Sequence, residues 1–264
     1  MGKIEITKMV ASGNDFVVVG RLAGWPVGRL NKLAKDICDR KYGAGADGLL
    51  VLGKSKKADV RMRIFNPDGS EAQMCGNGAR CVAYYRGNRC VKIETKAGII
   101  ESQVKANNVK IKLTDPKDIE LDIPVVIDGR KIKVNFINTG VPHAVILIQG
   151  LDRIDVVPMG RFIRYYSRFS PHGANVDFAE ALSDDSLKIR TYERGVEDET
   201  LACGTGAVAS AIIFALKTQA PNKIYVHTRG GEVLTVYFDR TAHKFFNVRL
   251  EGKVRIVYKG EYNV

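Results

Sequence analysis

The chain runs through one plan twice, and that repeat limits its fold more than any other feature. The heptapeptide Met74-Cys75-Gly76-Asn77-Gly78-Ala79-Arg80 returns as Ala202-Cys203-Gly204-Thr205-Gly206-Ala207-Val208, with the cysteines 128 positions apart in a chain of 264 residues. Gly45-Ala46-Asp47 meets Gly173-Ala174-Asn175 at the same offset. At an offset of 127, Met62-Arg63-Ile64-Phe65 meets Ile189-Arg190-Thr191-Tyr192, and Gly13 meets Gly140, each glycine followed by an apolar run. One inserted residue near Asp198 accounts for the step from 127 at the strand match to 128 at the cysteines. Ordered matches at nearly constant spacing mark a duplicated fold.

Each copy shows the same order of elements. Alternating segments at Lys3–Thr7, Phe16–Val19, Val91–Glu94, Val109–Leu113, Lys131–Phe136 and Glu232–Phe238 read as strands. A helix near Asn31–Arg40, and again near Pro158–Phe169, precedes the Gly-Ala-Asp or Gly-Ala-Asn turn. A second helix, about Ala79–Tyr85 and Ala207–Leu216, follows each Cys-Gly-x-Gly-Ala turn. Asp115–Pro124, with a proline near each end, reads as the linker. The expected halves are residues 1–117 with Cys75 and 118–250 with Cys203. The alternation through Val248–Tyr258 suggests that residues 251–264 return to the first half.

Composition narrows the function classes. A hydrophobic fraction of 45% supports packed cores and argues against disorder. The longest apolar run, Ala207–Leu216, is too short for a membrane span, and the N-terminus has no apolar signal core. A cytoplasmic protein with no membrane partner is therefore expected. The net charge of +12 raises nucleic acid as a partner, yet the basic residues are spread among 29 acids, as on an ordinary solvated surface. No nucleic-acid role is expected. Five cysteines without a Cys-x-x-Cys pair argue against both a disulfide framework and a structural zinc site.

A cysteine followed by Gly-x-Gly-Ala at a strand-to-helix corner has specific chemical uses. The glycines let backbone amides approach a ligand. A helix N-terminus offers free N–H groups and partial positive charge, which suit a carboxylate. The same field favours a thiolate. One such motif could be a phosphate loop, although neither copy has the Lys-Ser or Lys-Thr of a P-loop, or only a tight corner around a small buried residue. Two copies in a duplicated fold suit proton removal from one face of a carbon and delivery to the other, with amides stabilising the charge that develops on an adjacent carboxylate.

The blocks SGNDF, GADGLL, RIFNPDGSEAQMCGNGARC, GVPH, GANVDF and YERGVEDETLACGTGA closely resemble the diaminopimelate epimerase family, in order from Gly13 to Ala207. The paired cysteine motifs are shared with proline-type cofactor-independent racemases; the YERG and GNDF blocks point to diaminopimelate. The resemblance implies an α+β fold of two pseudo-symmetric halves, each a curved, mostly antiparallel sheet wrapped around a central helix, with the site between them. It also implies conversion of LL- to meso-diaminopimelate in lysine synthesis, without pyridoxal phosphate, other cofactor or metal, by a homodimer.

By the same resemblance, Cys75 and Cys203 are the acid–base thiols, and Gly76, Asn77, Gly204 and Thr205 hold the reacting carboxylate through backbone amides. Glu193 partners the reacting ammonium and Arg194 clamps the distal carboxylate, a task for which a bidentate guanidinium is suited. Asn14, Asn66 and Asn175 orient the distal end, although each sits beside Gly or Pro and could be a turn former. His143 lies near the first thiol and tunes its charge, as Glu193 does near the second. The chain departs from the family pattern at Val141, where many members have Asn, and at Gly48, where some carry a polar residue; both bear on substrate choice. Cys38 and Cys90 have no counterpart and read as buried or incidental, and Cys81 aligns with Ala209 as a small core position. The rival readings are a proline or hydroxyproline racemase, which would leave Arg194 without a distal carboxylate, a thiol–disulfide protein, and a basic nucleic-acid-binding module.

Overall fold

Strands such as Val60–Phe65, Cys90–Thr95 and Lys223–His227 bury alternate positions. Asn14–Val19, Gly48–Gly53, Pro142–Leu147 and Asn175–Ser183 are instead buried in continuous runs, and so are the helices that follow the cysteine motifs. Ten consecutive residues, Gly206–Ala215, are buried in the second of those helices, as in a helix enclosed by sheet on all sides. The computed structural model describes residues 2–264 except 21, 23, 128 and 243. Its chain divides into two compact units, Met1–Lys112 with Gly252–Val264, and Leu113–Glu251.

The first unit contains β1 (Lys3–Ala11), β2 (Asn14–Val19), α1 (Val27–Cys38), β3 (Gly48–Gly53), β4 (Val60–Phe65) and the short β5 (Glu71–Ala72). Then follow α2 (Gly76–Arg86), β6 (Cys90–Thr95), β7 (Gly98–Lys105) and β8 (Asn108–Lys112). The second unit contains β9 (Lys117–Ile127), β10 (Arg130–Asn138), β11 (Pro142–Leu147), α3 (Val156–Arg164), β12 (Asn175–Ser183), β13 (Ser186–Glu193) and β14 (Asp198–Thr200). It continues through α4 (Gly204–Thr218), β15 (Lys223–His227), β16 (Val233–Arg240) and β17 (Phe245–Lys253). The last strand, β18 (Arg255–Asn263), pairs antiparallel with β1 and so belongs to the first unit.

The duplication holds strand by strand. In the first unit β18 pairs β1, β1 pairs β2, β2 runs parallel to β3, β3 pairs β4, and β4 takes both β5 and the parallel β6. In the second unit β9, β10, β11, β12, β13, β14 and β15 make the same series, with the parallel steps at the same places. Two antiparallel steps complete each curved sheet, β6–β7–β8 and β15–β16–β17. The helix α2 packs against β1, β2, β4, β6, β7 and β8, while α4 packs against β10, β11, β12, β13, β15 and β16. The fold is α+β, with a helix enclosed by each sheet and a second helix, α1 or α3, packed on other faces of the same strands.

Register makes the equivalences exact to the residue. Leu50 faces Ile64 across β3–β4, and Asp177 faces Thr191 across β12–β13; Phe16 aligns with Gly48 and His143 with Asn175. Gly48 is therefore the counterpart of Asn175, and the expected match of Gly45-Ala46-Asp47 with Gly173-Ala174-Asn175 is displaced by one residue. An ion pair is duplicated as well. Arg63 donates from Nε and Nη2 to the two oxygens of Glu71, each at 2.8 Å, and Arg190 does the same to Glu199 at 2.7 Å. Each pair fastens a short strand to the end of its longer neighbour, with planar two-point geometry.

Several elements differ from the sequence reading, among them the first helix, which covers Val27–Cys38. The expected linker is largely strand, because β9 begins at Lys117; it pairs with β10 alone in its unit, so an edge position tolerates Pro124, and bulges beside Asp118 and Asp122 hide its alternation. The helix expected over Pro158–Phe169 begins earlier and stops at Arg164, with Pro158 in the first turn where its missing N–H costs little; a separate 3-10 turn covers Ser167–Phe169. Both inner helices begin at the glycine directly after the cysteine, three residues before the expected start. The cysteines are therefore helix caps.

Candidate active site

Each thiol is built into the first turn of an enclosed helix. Cys75 caps α2 with extended backbone, φ −142° and ψ 124°, and the Gly78 N–H donates to its Sγ at 3.5 Å. Cys203 caps α4 with φ −118° and ψ 115°, and its Sγ lies 3.4 Å from Thr205 Oγ1. The first intrahelical bonds run from Ala79 N to Cys75 O and from Ala207 N to Cys203 O, both 2.9 Å. The N–H groups of Gly76 and Asn77, and of Gly204 and Thr205, precede those bonds and have no carbonyl one turn back to take. A carboxylate meets both free donors and the positive end of the helix dipole at such a place.

The surroundings of Cys203 favour the thiol over the thiolate. It is 7% exposed, and burial, followed by the negative charges of Glu193 and Asp177, pushes its proton affinity well above that of an ordinary cysteine. Burial likewise raises the Glu193 carboxyl at the end of β13, with Asp177 adding to it. A thiol that holds its proton until a developing carbanion can take it is suited to act as an acid.

Around α2 the polar residues form one chain. Arg80 is fully buried and donates to Ser12 Oγ at 2.6 Å and to Asn77 Oδ1 at 2.7 Å. Asn77 Nδ2 donates to Asn14 Oδ1 at 2.7 Å, and Asn14 Nδ2 donates to Asp47 at 3.1 Å. Asn14 and Asn77 are thus brought together, and both amide orientations are fixed. Asp47 and Asp15 share Arg40, and Lys8 also pairs with Asp15. Asn66 is held in its own turn, donating from Nδ2 to Ser70 Oγ at 2.9 Å.

In the second unit Asn175 ties two strand ends together, donating to Pro142 O at 3.2 Å and accepting from Arg194 N at 2.9 Å. This fixes the backbone that carries Glu193 and Arg194. The Arg194 guanidinium makes a 3.4 Å bond to His172 O. His143 is fully buried, with Nδ1 2.7 Å from Asp177 Oδ2. At Gly48 a Cβ would be tight, 3.1 Å from Phe65 O and 3.4 Å from the Phe16 ring. Val141 is half-buried, and its carbonyl accepts from Thr139 N at 3.1 Å. Of the remaining cysteines, Cys38 and Cys81 are buried and Cys90 is exposed.

The motif reading assigns no role to Asp177, Thr191, Arg80, Ser12 or Asp47. The repeat itself carries a signal for two of them, since aligning the copies at an offset of 127 sets Asp177 against Leu50 and Thr191 against Ile64. A buried position that is apolar in one copy and polar in the other marks chemistry rather than packing. Among the described residues, no helix is long and apolar enough to cross a membrane, and no group of three or more His, Cys, Asp or Glu side chains is arranged to hold a metal ion.

Solved structures share this fold across nearly their whole length. A PhzF-family phenazine biosynthesis protein from Bacillus anthracis superposes with a TM-score of 0.79 at 19% identity, covering 100% of both chains. A hydroxyproline epimerase from Agrobacterium vitis superposes with a TM-score of 0.72 at 17% identity, covering 98% of this chain and 92% of its own. At such identities the likeness is one of fold. Sequence relatives are much nearer: the diaminopimelate epimerase of Aquifex aeolicus is 41% identical, covering 97% of each chain. That of Archaeoglobus fulgidus is 44% identical, covering 91% of this chain and 92% of its own. The family profile described as diaminopimelate epimerase matches residues 6–118 and 135–257. With cysteine caps on two equivalent helices and relatives of this kind along its full length, the chain belongs to the diaminopimelate epimerase family.

Proposed function

We propose that the protein converts LL-2,6-diaminopimelate to the meso form by acid–base chemistry between Cys75 and Cys203, as a step in lysine synthesis. The observation that carries this reading is the cysteine cap at the start of each enclosed helix, beside backbone N–H groups with no intrahelical partner. One sulfur removes the α-hydrogen as thiolate while the other, as thiol, supplies a proton to the opposite face. Their protonation states are exchanged after each turnover. Burial and the carboxylates of Glu193 and Asp177 favour the thiol form of Cys203. Charge developing at the α-carbon spreads into its carboxylate, which the amides of Gly76, Asn77, Gly204 and Thr205 stabilise.

Glu193 takes the reacting ammonium, and Arg194 takes the distal carboxylate. Asn14, Asn66 and Asn175 serve the distal amino-acid end, while His143 sets the charge near the first thiol. Asn14 fits this role best, because its amide is locked against Asn77. The same reading makes the protein a cytoplasmic homodimer that needs no added cofactor, metal or nucleic acid.

Reduced protein incubated with pure LL-diaminopimelate should yield the meso isomer, followed by chiral chromatography, with no activity on L-proline or hydroxyproline. Turnover of proline alone would overturn the assignment. Loss of activity on adding reductant, instead of retention, would favour a thiol–disulfide role.

A further inference from the structure

Behind the thiol-bearing start of α4 lies a buried polar set to which the proposed chemistry assigns only one member. His143, Asp177 and Thr191 come from β11, β12 and β13, and each is at most 2% exposed. Asp177 Oδ2 lies 2.7 Å from His143 Nδ1, and Oδ1 accepts from Thr191 Oγ1 at 2.7 Å. An ionised carboxylate can only accept, so the ring hydrogen of a neutral His143 sits on Nδ1. That leaves Nε2, buried and with no hydrogen-bond partner among the described residues. A buried nitrogen left unpaired is costly unless something from outside the chain meets it.

Two further observations separate this set from ordinary packing. At the same three register positions the first unit has Phe16, Leu50 and Ile64, all buried and all apolar. The sheet therefore closes without polar groups there. Moreover, a Cβ on Gly206 would collide with Asp177 Oδ1, whereas a Cβ on the equivalent Gly78 would stand 3.1 Å from Leu50 Cδ2. The second glycine of the Cys-Gly-Thr-Gly motif thus admits the Asp177 carboxylate to the first turn of α4, where the helix dipole favours a negative charge. Glu193 and Cys203 both feel that charge.

We infer that Asp177 is a positioning residue for the reaction: supported by Thr191, it holds His143 through Nδ1 and keeps Nε2 free for the reacting groups. Metal-binding histidines are oriented by carboxylates in the same manner, and the orienting residue matters because it fixes both tautomer and ring angle. The inference rests on the epimerase reading for its reaction, but its geometry can be tested without substrate.

Nitrogen-15 NMR of histidine-labelled protein, with His143 assigned through His143→Gln, should show Nδ1 protonated in the neutral ring. In Asp177→Asn that signature should be lost or mixed with the Nε2–H form. The kcat for LL-diaminopimelate should fall about 10²–10⁴-fold, with KM changed less than about threefold. Thr191→Val should lower kcat about three- to tenfold, with Thr191→Ser restoring it, which keeps the inference testable if Asp177→Asn does not fold. A wild-type ring hydrogen on Nε2 would overturn the inference, as would wild-type kcat in folded Asp177→Asn. So would an activity loss in Thr191→Val that only follows the fraction of protein unfolded. If wild-type protein turned over no diaminopimelate yet showed Nδ1 protonated, the epimerase reading would fail and the His143–Asp177 geometry would stand.

Discussion

The two units share strand order, parallel steps and a paired arginine–glutamate clasp, yet their interiors are opposite in character around the thiol-bearing helices. In the first unit a buried cation, Arg80, anchors an amide chain through Asn77 and Asn14, and the sheet carries Phe16, Leu50 and Ile64 at the three compared positions. In the second, Val208 stands where Arg80 does, and the sheet holds His143, Asp177 and Thr191. The topology accepts either interior, so neither polar set is required to form it. What differs is the charge offered to each sulfur's surroundings, and an acid–base pair that starts with one thiol and one thiolate requires such a difference.

The comparison can be broken most severely at the sulfurs. Cys75→Ala and Cys203→Ala should each reduce epimerisation at least about 10³-fold, measured as meso product formed, because each direction uses both an acid and a base. Equal activity in either variant would remove the functional equivalence of the two caps.

Making the interiors alike should cost stability in one direction. Leu50→Asp places a carboxylate where the first unit has no histidine or threonine to receive it, and should destabilise by about 3–5 kcal/mol in urea titrations. A loss below 1 kcal/mol would mean that the first unit can host a carboxylate as easily as the second.

The shared clasp predicts a pH effect. The Arg63 guanidinium, with help from Lys96 and against the opposing effect of burial, holds the Glu71 carboxyl at about 2, below its ordinary 4.5. The folded form therefore binds fewer protons than the unfolded chain between those values. The contribution is present above pH 4.5 and is lost as pH falls towards 2, an upper figure of about 3 kcal/mol. Glu71→Gln should flatten the acid limb of stability measured by thermal melting between pH 5 and roughly pH 3.

A smaller effect concerns labelling. Cys203 keeps its proton through burial and neighbouring carboxylates, while Cys90 is exposed. At neutral pH iodoacetamide should modify Cys90 at least about tenfold faster than Cys203, read by peptide mass spectrometry, since the thiolate is the reactive form. Faster labelling of Cys203 would contradict the environment described for it.

Much of this was legible in the sequence because duplication and motif chemistry are local. The Cys75 and Cys203 segments, the strand matches and the one-residue insertion need only the offset. The insertion falls between β13 and β14, where the turn from Tyr192 to Glu199 is one residue longer than that from Phe65 to Glu71. From sequence the helix starts read three residues late because glycine is a poor helix former in general, whereas at the first turn a cap and free donors outweigh that penalty. The β9 strand was hidden by charged residues and Pro124 on an exposed edge. Asp177 was not legible as a site residue because an aspartate after Gly-Ala-Asn reads as part of a turn. Only the register, which sets it against Leu50, shows that it is buried.

The most direct test of the two-thiol account follows the hydrogen itself. Reduced protein is mixed with LL-diaminopimelate in deuterated water, and product and remaining substrate are analysed early in the conversion. Separate acid and base sulfurs predict one deuterium at the inverted carbon of nearly every meso molecule, with the remaining LL substrate still carrying protium. Meso product that retains the substrate's own α-hydrogen at that carbon would show a single group removing and returning it, and would contradict the account.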